Sequence, residues 1–476
     1  MKMKKTVNRS LALLLVLALL FGSSMSANAL YADSAWQSYY ADYMADGHAV
    51  IMNPGSDDTQ RNFSWYSASN EGKAKILLSE SPEFTDAKTF TGKAVRTPEG
   101  DRANKITVSG LEAGKTYYYR CCNGDTVIKE DSFRTIAGKE FTAVYMTDIH
   151  ISRKQDGMEE PLMNQAYTYN TVLQQANAKA PFDLILSSGD QASYGDRREY
   201  MSLASATLMG QVPFALAVGN HDRKGIAYKY FNNNPNKYTK GVSSFIGNDY
   251  WYVKGDVLFM VFDSNNSAAM THRAFAKAAV AANPDVKWRV AVMHHDLYGR
   301  LSDSRAEEAD ETQRPVFVPI FDEFKVDLVL LGHSHYFSIS NGMVDGEITD
   351  TVTDNTLTDP VGSVYMVSNS INHPRDSANA AGITPAYGNA IAIQKDGPVY
   401  NMITFSEDSV TVNTYELNAD EPFNTFTLNK TTQNGGHRDY NNSPNLKPNR
   451  TLQEFLAFWT EFGQAVSAIW KNYFDR

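Results

Sequence analysis

Two hydrophobic rhythms divide the chain. From His48 to about Thr135, short β-type runs follow one another: Phe63-Ser-Trp-Tyr, Lys75-Ile-Leu-Leu, Ala94-Val-Arg, Lys105-Ile-Thr-Val and Thr116-Tyr-Tyr-Tyr-Arg. Gly, Asn, Asp and Pro punctuate them, which predicts an all-β unit of sandwich size. Its many aromatics are expected in a core and a docking face rather than in a carbohydrate site. From Phe141 the rhythm changes. Apolar strand runs at 141–146, 182–188, 213–218, 257–262, 288–293 and 327–331 alternate with helical patterns at 161–180, 202–209, 268–282 and 316–324. Such alternation predicts a layered α/β domain. Runs at 364–367, 390–393 and 410–415 are expected as later strands of a second sheet in the same layers.

The two ends read differently. Residues 1–29 carry a basic head (Lys2, Lys4, Lys5, Arg9), an apolar run from Leu11 to Phe21, and the small-residue ending Ala27-Asn28-Ala29. That is the pattern of a secretory leader cut after Ala29, and the apolar run is too short to span a bilayer comfortably. No later segment reads as a membrane span. Residues 30–46 predict a short helix or an extended arm. The Asn-, Pro- and Thr-rich stretch 421–450 reads as an extended linker. From Thr451, Leu452, Phe455, Leu456, Trp459, Phe462, Val466, Ile469, Trp470 and Tyr473 form one amphipathic stripe. A helix this aromatic is expected to pack on the body or on a second copy, giving a possible homodimer. The resulting division is leader 1–29, β-sandwich domain with its arm 30–137, α/β domain 138–420, linker 421–450 and terminal helix 451–476.

Composition adds little except by exclusion. The formal net charge of −10 disfavours polyanion binding, so no broad nucleic-acid surface is expected. The two cysteines, Cys121 and Cys122, are adjacent and predict small buried strand residues rather than a disulfide framework.

The chemistry lies at the strand ends. Asp148-Ile-His150, Gly189-Asp190, Gly219-Asn-His-Asp222, His294-His295 and Gly332-His-Ser-His335 each follow a predicted strand. One histidine after a strand is ordinarily a packing residue. Five metal-capable clusters at five strand ends are another matter, because open α/β sheets place their ligands there. Seven oxygen and nitrogen donors suffice for two cations sharing a carboxylate, a device for hydrolysing phosphate esters. No thiolate is present to favour a softer ion, so Fe, Zn or Mn fits.

In order and spacing these motifs resemble the calcineurin-like metallophosphoesterase superfamily across about residues 140–415. With the upstream β domain, the whole resembles purple acid phosphatases, and Leu111 to Arg120 resembles the turn and strand of a fibronectin-type-III-like sandwich. The resemblance implies one cation on Asp148, His150, Asp190 and His335, and another on Asp190, Asn220, His294 and His333, with Asp190 bridging. It implies a metal-bridging hydroxide as nucleophile, phosphate monoesters as substrate, and His221 beside the leaving oxygen. Asp222 joins His221 as a catalytic candidate, although loop anchoring suits it better. His295 either bonds at the site or faces away. Arg223, His295 and His373 are the leading substrate contacts, followed by Arg153, Tyr298, Arg300, Asn372 and Arg375.

One departure stands out. Purple acid phosphatases carry a tyrosine ligand three residues after the bridging aspartate. Here that place is Ser193, with Tyr194 one step later, so a tyrosinate-bound ferric ion is not expected. The alternatives are a phosphodiesterase or nucleotidase on the same metals, or a binding protein that keeps metals for structure.

Overall fold

A computed structural model describes residues 30–152, 159–299, 303–374 and 387–437. The leader, the terminal amphipathic stripe, Arg153, Arg300 and Arg375 lie outside the described residues.

The N-terminal β unit is a sandwich of two four-stranded sheets. One runs Ile51–Pro54, Gln60–Ser67, Arg102–Ser109, Lys93–Arg96, and the other Lys88–Thr91, Ala74–Ser79, Thr116–Asn123, Thr126–Arg134. Alternating inward residues, among them Phe63, Trp65, Ile76, Ile106, Tyr119 and Phe133, fill the space between them. Both cysteines are free and buried, with a bulge in the ladder between them.

The second domain stacks two seven-stranded sheets between helices. In the first sheet Phe214–Leu216, Leu184–Ser187 and Phe141–Met146 run parallel. In the second, Val257–Val261, Trp288–Val292, Leu328–Leu331 and Val364–Val367 do so. Period-two alternation sorts the side chains. Ala143 and Tyr145 join Phe259 and Val290 between the sheets. Val144 and Met146 face the helix Glu159–Lys179 on the outside. The helices Ala269–Ala282 and Arg314–Glu323 cover the other sheet. The parallel strands of both sheets therefore deliver their C-terminal ends to one rim.

Two expectations need correction. Residues Asn424–Asn429, read as linker, form a strand that pairs with Ser409–Glu416 and Thr356–Thr358. Phe426 and Leu428 alternate into the core behind a polar composition. The strand Ser409–Glu416 itself belongs to the first sheet, whereas Val364–Val367 and Asn389–Ile393 belong to the second.

The helix Ser34–Asp46, capped by Asp33, lies on the second domain: Tyr40 Oη is 2.8 Å from Ser202 Oγ, and Trp36 packs on Tyr167. The sandwich is also firmly docked. Tyr66 meets Phe231 edge-on at 4.9 Å, Asn53 Nδ2 donates to Phe214 O, and Tyr119 Oη donates to Gly210 O. No described helix is long and apolar enough to cross a membrane.

Candidate metal centre

The five motifs meet at the shared rim, and the backbone is bent to bring them there. Asp148, His150, Asp190, His333 and His335 all have positive φ, between 48° and 71°. Non-glycine residues rarely adopt that region, and it gathers at functional sites. The Asp148 and Asp190 loops lie side by side: Asp148 N donates to Gly189 O at 3.0 Å, and His150 N to Asp190 O at 2.9 Å.

Three glycines make the crowding possible. A Cβ on Gly219 would sit 2.0 Å from Asp190 Oδ1, and one on Gly332 would sit 2.6 Å from Asp148 Oδ2. One on Gly189 would sit 2.6 Å from His294 Nδ1. Each glycine thus vacates space for a side chain from another motif.

The donor atoms form overlapping clusters, Asp148–His150–His335, Asp148–Asp190–His294 and His150–Asp190–His221. Asp148 Oδ1 lies 3.0 Å from His335 Nε2 and 3.7 Å from His150 Nε2. Asp190 Oδ2 lies 3.2 Å from His294 Nε2 and 3.7 Å from His150 Nε2, so a single oxygen touches both groups. Asn220 Oδ1 is 3.0 Å from His294 Nε2. Separations of this size are the edges expected around a cation bonded at about 2.1 Å.

The outer ring nitrogens fix which lone pairs point inward. His335 Nδ1 is 2.7 Å from His373 O, and His294 Nδ1 is 3.2 Å from Ser188 O. A carbonyl only accepts, so both Nδ1 atoms carry the proton and both Nε2 lone pairs face the cluster. His150 Nδ1 meets Ser193 Oγ at 3.3 Å.

These groups fit a cation pair. Asp148 Oδ1 is buried with no hydrogen-bond donor among the described residues, a costly state unless a cation is its partner. His150 Nε2 and His335 Nε2 face each other at 3.3 Å, close enough to share a proton or a cation. The same demand shows in protonation. Burial would lower His294, yet the Asp190 carboxylate pushes it up to about 9. Burial would raise Asp190, yet His294 holds it down at about 2. Burial and the neighbouring His294 push His295 down to about 3.

Around the centre the remaining candidates separate. His221 is half-buried; its amide donates to Asp190 Oδ1 at 2.7 Å, and its ring stands edge-on to His150 at 4.8 Å. Its Nδ1 lies 3.0 Å from Ser193 O and 2.8 Å from Lys224 Nζ, leaving Nε2 toward the cluster. Asp222 is fully buried and faces away. Its oxygens accept from Gly219 N (2.9 Å), Ala192 N (3.1 Å) and Tyr200 Oη (2.8 Å). Asp222 thereby staples the Gly189 and Gly219 loops together. His373 sits edge-on to His150 at 5.1 Å. Arg223 is exposed and reaches toward Asn265 O at 3.5 Å. Tyr298 is core, 4.7 Å from the Tyr365 ring, and Asn372 Nδ2 holds the backbone at Ile149 O. Tyr194 is 48% exposed and points outward, whereas Ser193 Oγ meets the His150 ring.

Sequence reasoning missed Ser264, Lys224 and Glu308. Glu308, ending the helix Asp303–Glu308, lies 3.1 Å from His333 Nε2. It follows no strand, and an acidic residue in an acidic helical stretch carries no motif signal.

Residues 141–337 match the calcineurin-like phosphoesterase family, and residues 48–135 match the purple acid phosphatase N-terminal domain. No curated protein matches the chain. Among solved structures, the purple acid phosphatase PPD1 from yellow lupin (Lupinus luteus) seeds superposes with a TM-score of 0.66 at 13% identity, over 83% of this chain and 76% of that one. The GAP50 anchor of the Plasmodium inner membrane complex is 13% identical over 67% of this chain and 95% of that one, with a TM-score of 0.42. With both domain matches in the expected order and a metal-dependent phosphoesterase site built on the shared rim, the chain belongs to the calcineurin-like metallophosphoesterase superfamily and carries a purple-acid-phosphatase-type N-terminal domain.

Proposed function

We propose that the chain hydrolyses phosphate monoesters at a two-cation site. Asp148, His150, Asp190 and His335 would hold one cation; Asp190, Asn220, His294 and His333 would hold the other. The observation that carries this reading is Asp190 Oδ2, within 3.7 Å of His150 Nε2 and 3.2 Å of His294 Nε2. When bound, such a pair supplies an activated water as nucleophile and neutralises charge on the phosphoryl oxygens.

The chain's own residues do the rest. His221 offers Nε2 to the leaving oxygen and holds its proton, with the ring fixed through Nδ1 and the backbone amide. His373 and Arg223 border the site as substrate contacts. His295, buried and neutral, lines the rim beside His333 (ring centroids 4.7 Å apart). Asp222 keeps two loops in register.

The test pairs elemental analysis with rates on p-nitrophenyl phosphate and on bis-p-nitrophenyl phosphate. Two equivalents of metal and a clear monoester preference are expected. Faster diester turnover would replace this reading with the diesterase one, and negligible turnover at full metal loading would leave only a binding role.

The finer features belong to the same proposal. The sandwich is of fibronectin type III kind, supported by Tyr117 Oη accepting from Glu112 N at 2.9 Å, the contact of a tyrosine corner. The leader pattern directs the chain out of the cytoplasm.

A further inference from the structure

Glu308 engages two histidines of the rim at once. Its Oε2 lies 3.1 Å from His333 Nε2 and its Oε1 lies 3.6 Å from His295 Nε2. The three residues form a metal-capable cluster of their own. They can therefore hold a third cation, or they can be a carboxylate hydrogen-bonded by one imidazole N–H with a second imidazole beside it. The hydrogen bonds around Ser264 decide between these.

Ser264 Oγ accepts from His294 N at 3.3 Å and from His295 N at 3.2 Å. Both of its lone pairs are then engaged, so its own proton goes to His295 Nδ1, 2.8 Å away. That nitrogen is an acceptor, which places the ring proton of His295 on Nε2, facing Glu308. A protonated nitrogen cannot ligate a cation. The carboxylate likewise accepts from His333 Nε2–H, which leaves the lone pair of that ring on Nδ1.

We propose that Glu308 is a positioning residue for the second cation. Its carboxylate fixes His333 in the tautomer that presents Nδ1 to the metal and makes that nitrogen a stronger donor, as carboxylate–histidine–metal relays do. His295, held by Ser264, supports the carboxylate from the other side. The turn carrying Glu308 is tied to the same loop, because Gln313 Nε2 donates to Ser264 O at 3.4 Å. The inference rests on the two-cation reading above.

The experiment titrates Zn²⁺ calorimetrically into the full chelated chain and into Glu308→Ala and Glu308→Gln. The wild type is expected to take up two equivalents. Glu308→Ala should weaken one affinity by about 10- to 100-fold and leave the other within about twofold, as a ligand-specific role requires. Glu308→Gln keeps one acceptor oxygen for His333 and should fall between the two. A thermal midpoint equal to wild type in the chelated variants shows that folding is intact. Equal affinities in all three proteins would overturn the clamp, as would a third equivalent in the wild type that Glu308→Ala loses. Fewer than two equivalents in the wild type would overturn the two-cation reading and the clamp with it.

Discussion

A Cβ on Gly219 would overlap the Asp190 carboxylate, at 2.0 Å from Oδ1 and 2.3 Å from the backbone N. Asp190 cannot retreat cheaply, since it sits at positive φ and is buried among the other ligands. Gly219→Ala should therefore push the Asp190 carboxylate out of place. A small-to-large change in a packed site costs about 1–3 kcal/mol, and here the strain falls on the carboxylate proposed to bridge the two cations. The expected outcome is a folded protein with a normal circular dichroism spectrum and less than half the wild-type metal content by elemental analysis. Wild-type metal content in this variant would show that Asp190 does not bridge.

His221 and Asp222 are neighbours in sequence with opposite surroundings, and substitution should separate them. His221 is half-buried with Nε2 toward the cluster, so His221→Ala should keep both metals and lower kcat by about 10²- to 10⁴-fold. Asp222 accepts four hydrogen bonds from buried groups and contributes none to the cluster. Asp222→Ala should strip those donors of their acceptor and destabilise the fold by about 1–3 kcal/mol, the scale of leaving a buried donor unsatisfied. The diagnostic is the contrast: a lowered denaturation midpoint for Asp222→Ala, and an unchanged midpoint with slow turnover for His221→Ala.

The strand-end rule made most of this centre legible in the sequence, because ligands there are one or two residues from an apolar run that is easy to see. Local competition was harder to see. The helix expected at 202–209 is instead Arg197–Ala204, started by an Asp196–Glu199 capping box, followed by a separate 3-10 turn at Thr207–Gly210. Its apolar positions gave the right neighbourhood, but the cap set the boundary. The strand Asn424–Asn429 was hidden because only Phe426 and Leu428 face the core. Glu308 was invisible for a different reason: its partner His333 is 25 residues away, and only folding brings them together.

Removal of the metals should cost stability as well as activity. Without a cation, the buried Asp148 carboxylate is left with His335 Nε2, 3.0 Å from Oδ1, as its nearest counter-charge. A ligand that binds only the folded state adds about 2.7 kcal/mol at a hundredfold excess over its Kd. Treatment with a chelator should lower the thermal midpoint, and Zn²⁺ or Mn²⁺ should restore it in a concentration-dependent way. Mg²⁺ should restore less, because imidazole-rich sites favour the later divalent ions. A midpoint indifferent to chelation would mean that no cation occupies the cluster.

The junction between the domains carries its own pH signature. Lys105 of the sandwich donates to Lys229 O and Asn232 O of the second domain. Burial, reinforced by the charges of Lys237 and Lys229, pushes its ammonium down to about 7. The sign follows from proton counting. Between about pH 7 and the ordinary lysine value near 10.4, the unfolded chain holds this proton and the folded chain does not. Stability therefore rises with pH across that window, and the cost of burying the charge is fully present below it. Lys254, lowered to about 8 by burial beside Asp58, adds slope of the same sign. His294, pushed up to about 9 when no cation is bound, gives slope of the opposite sign in this window, so the check is a difference: the change in denaturant midpoint of the chelated protein from pH 7 to pH 9 should be less positive in Lys105→Met than in the wild type. An identical pH slope in the variant would show that Lys105 keeps its proton in the folded protein, with its two carbonyl partners compensating for the burial.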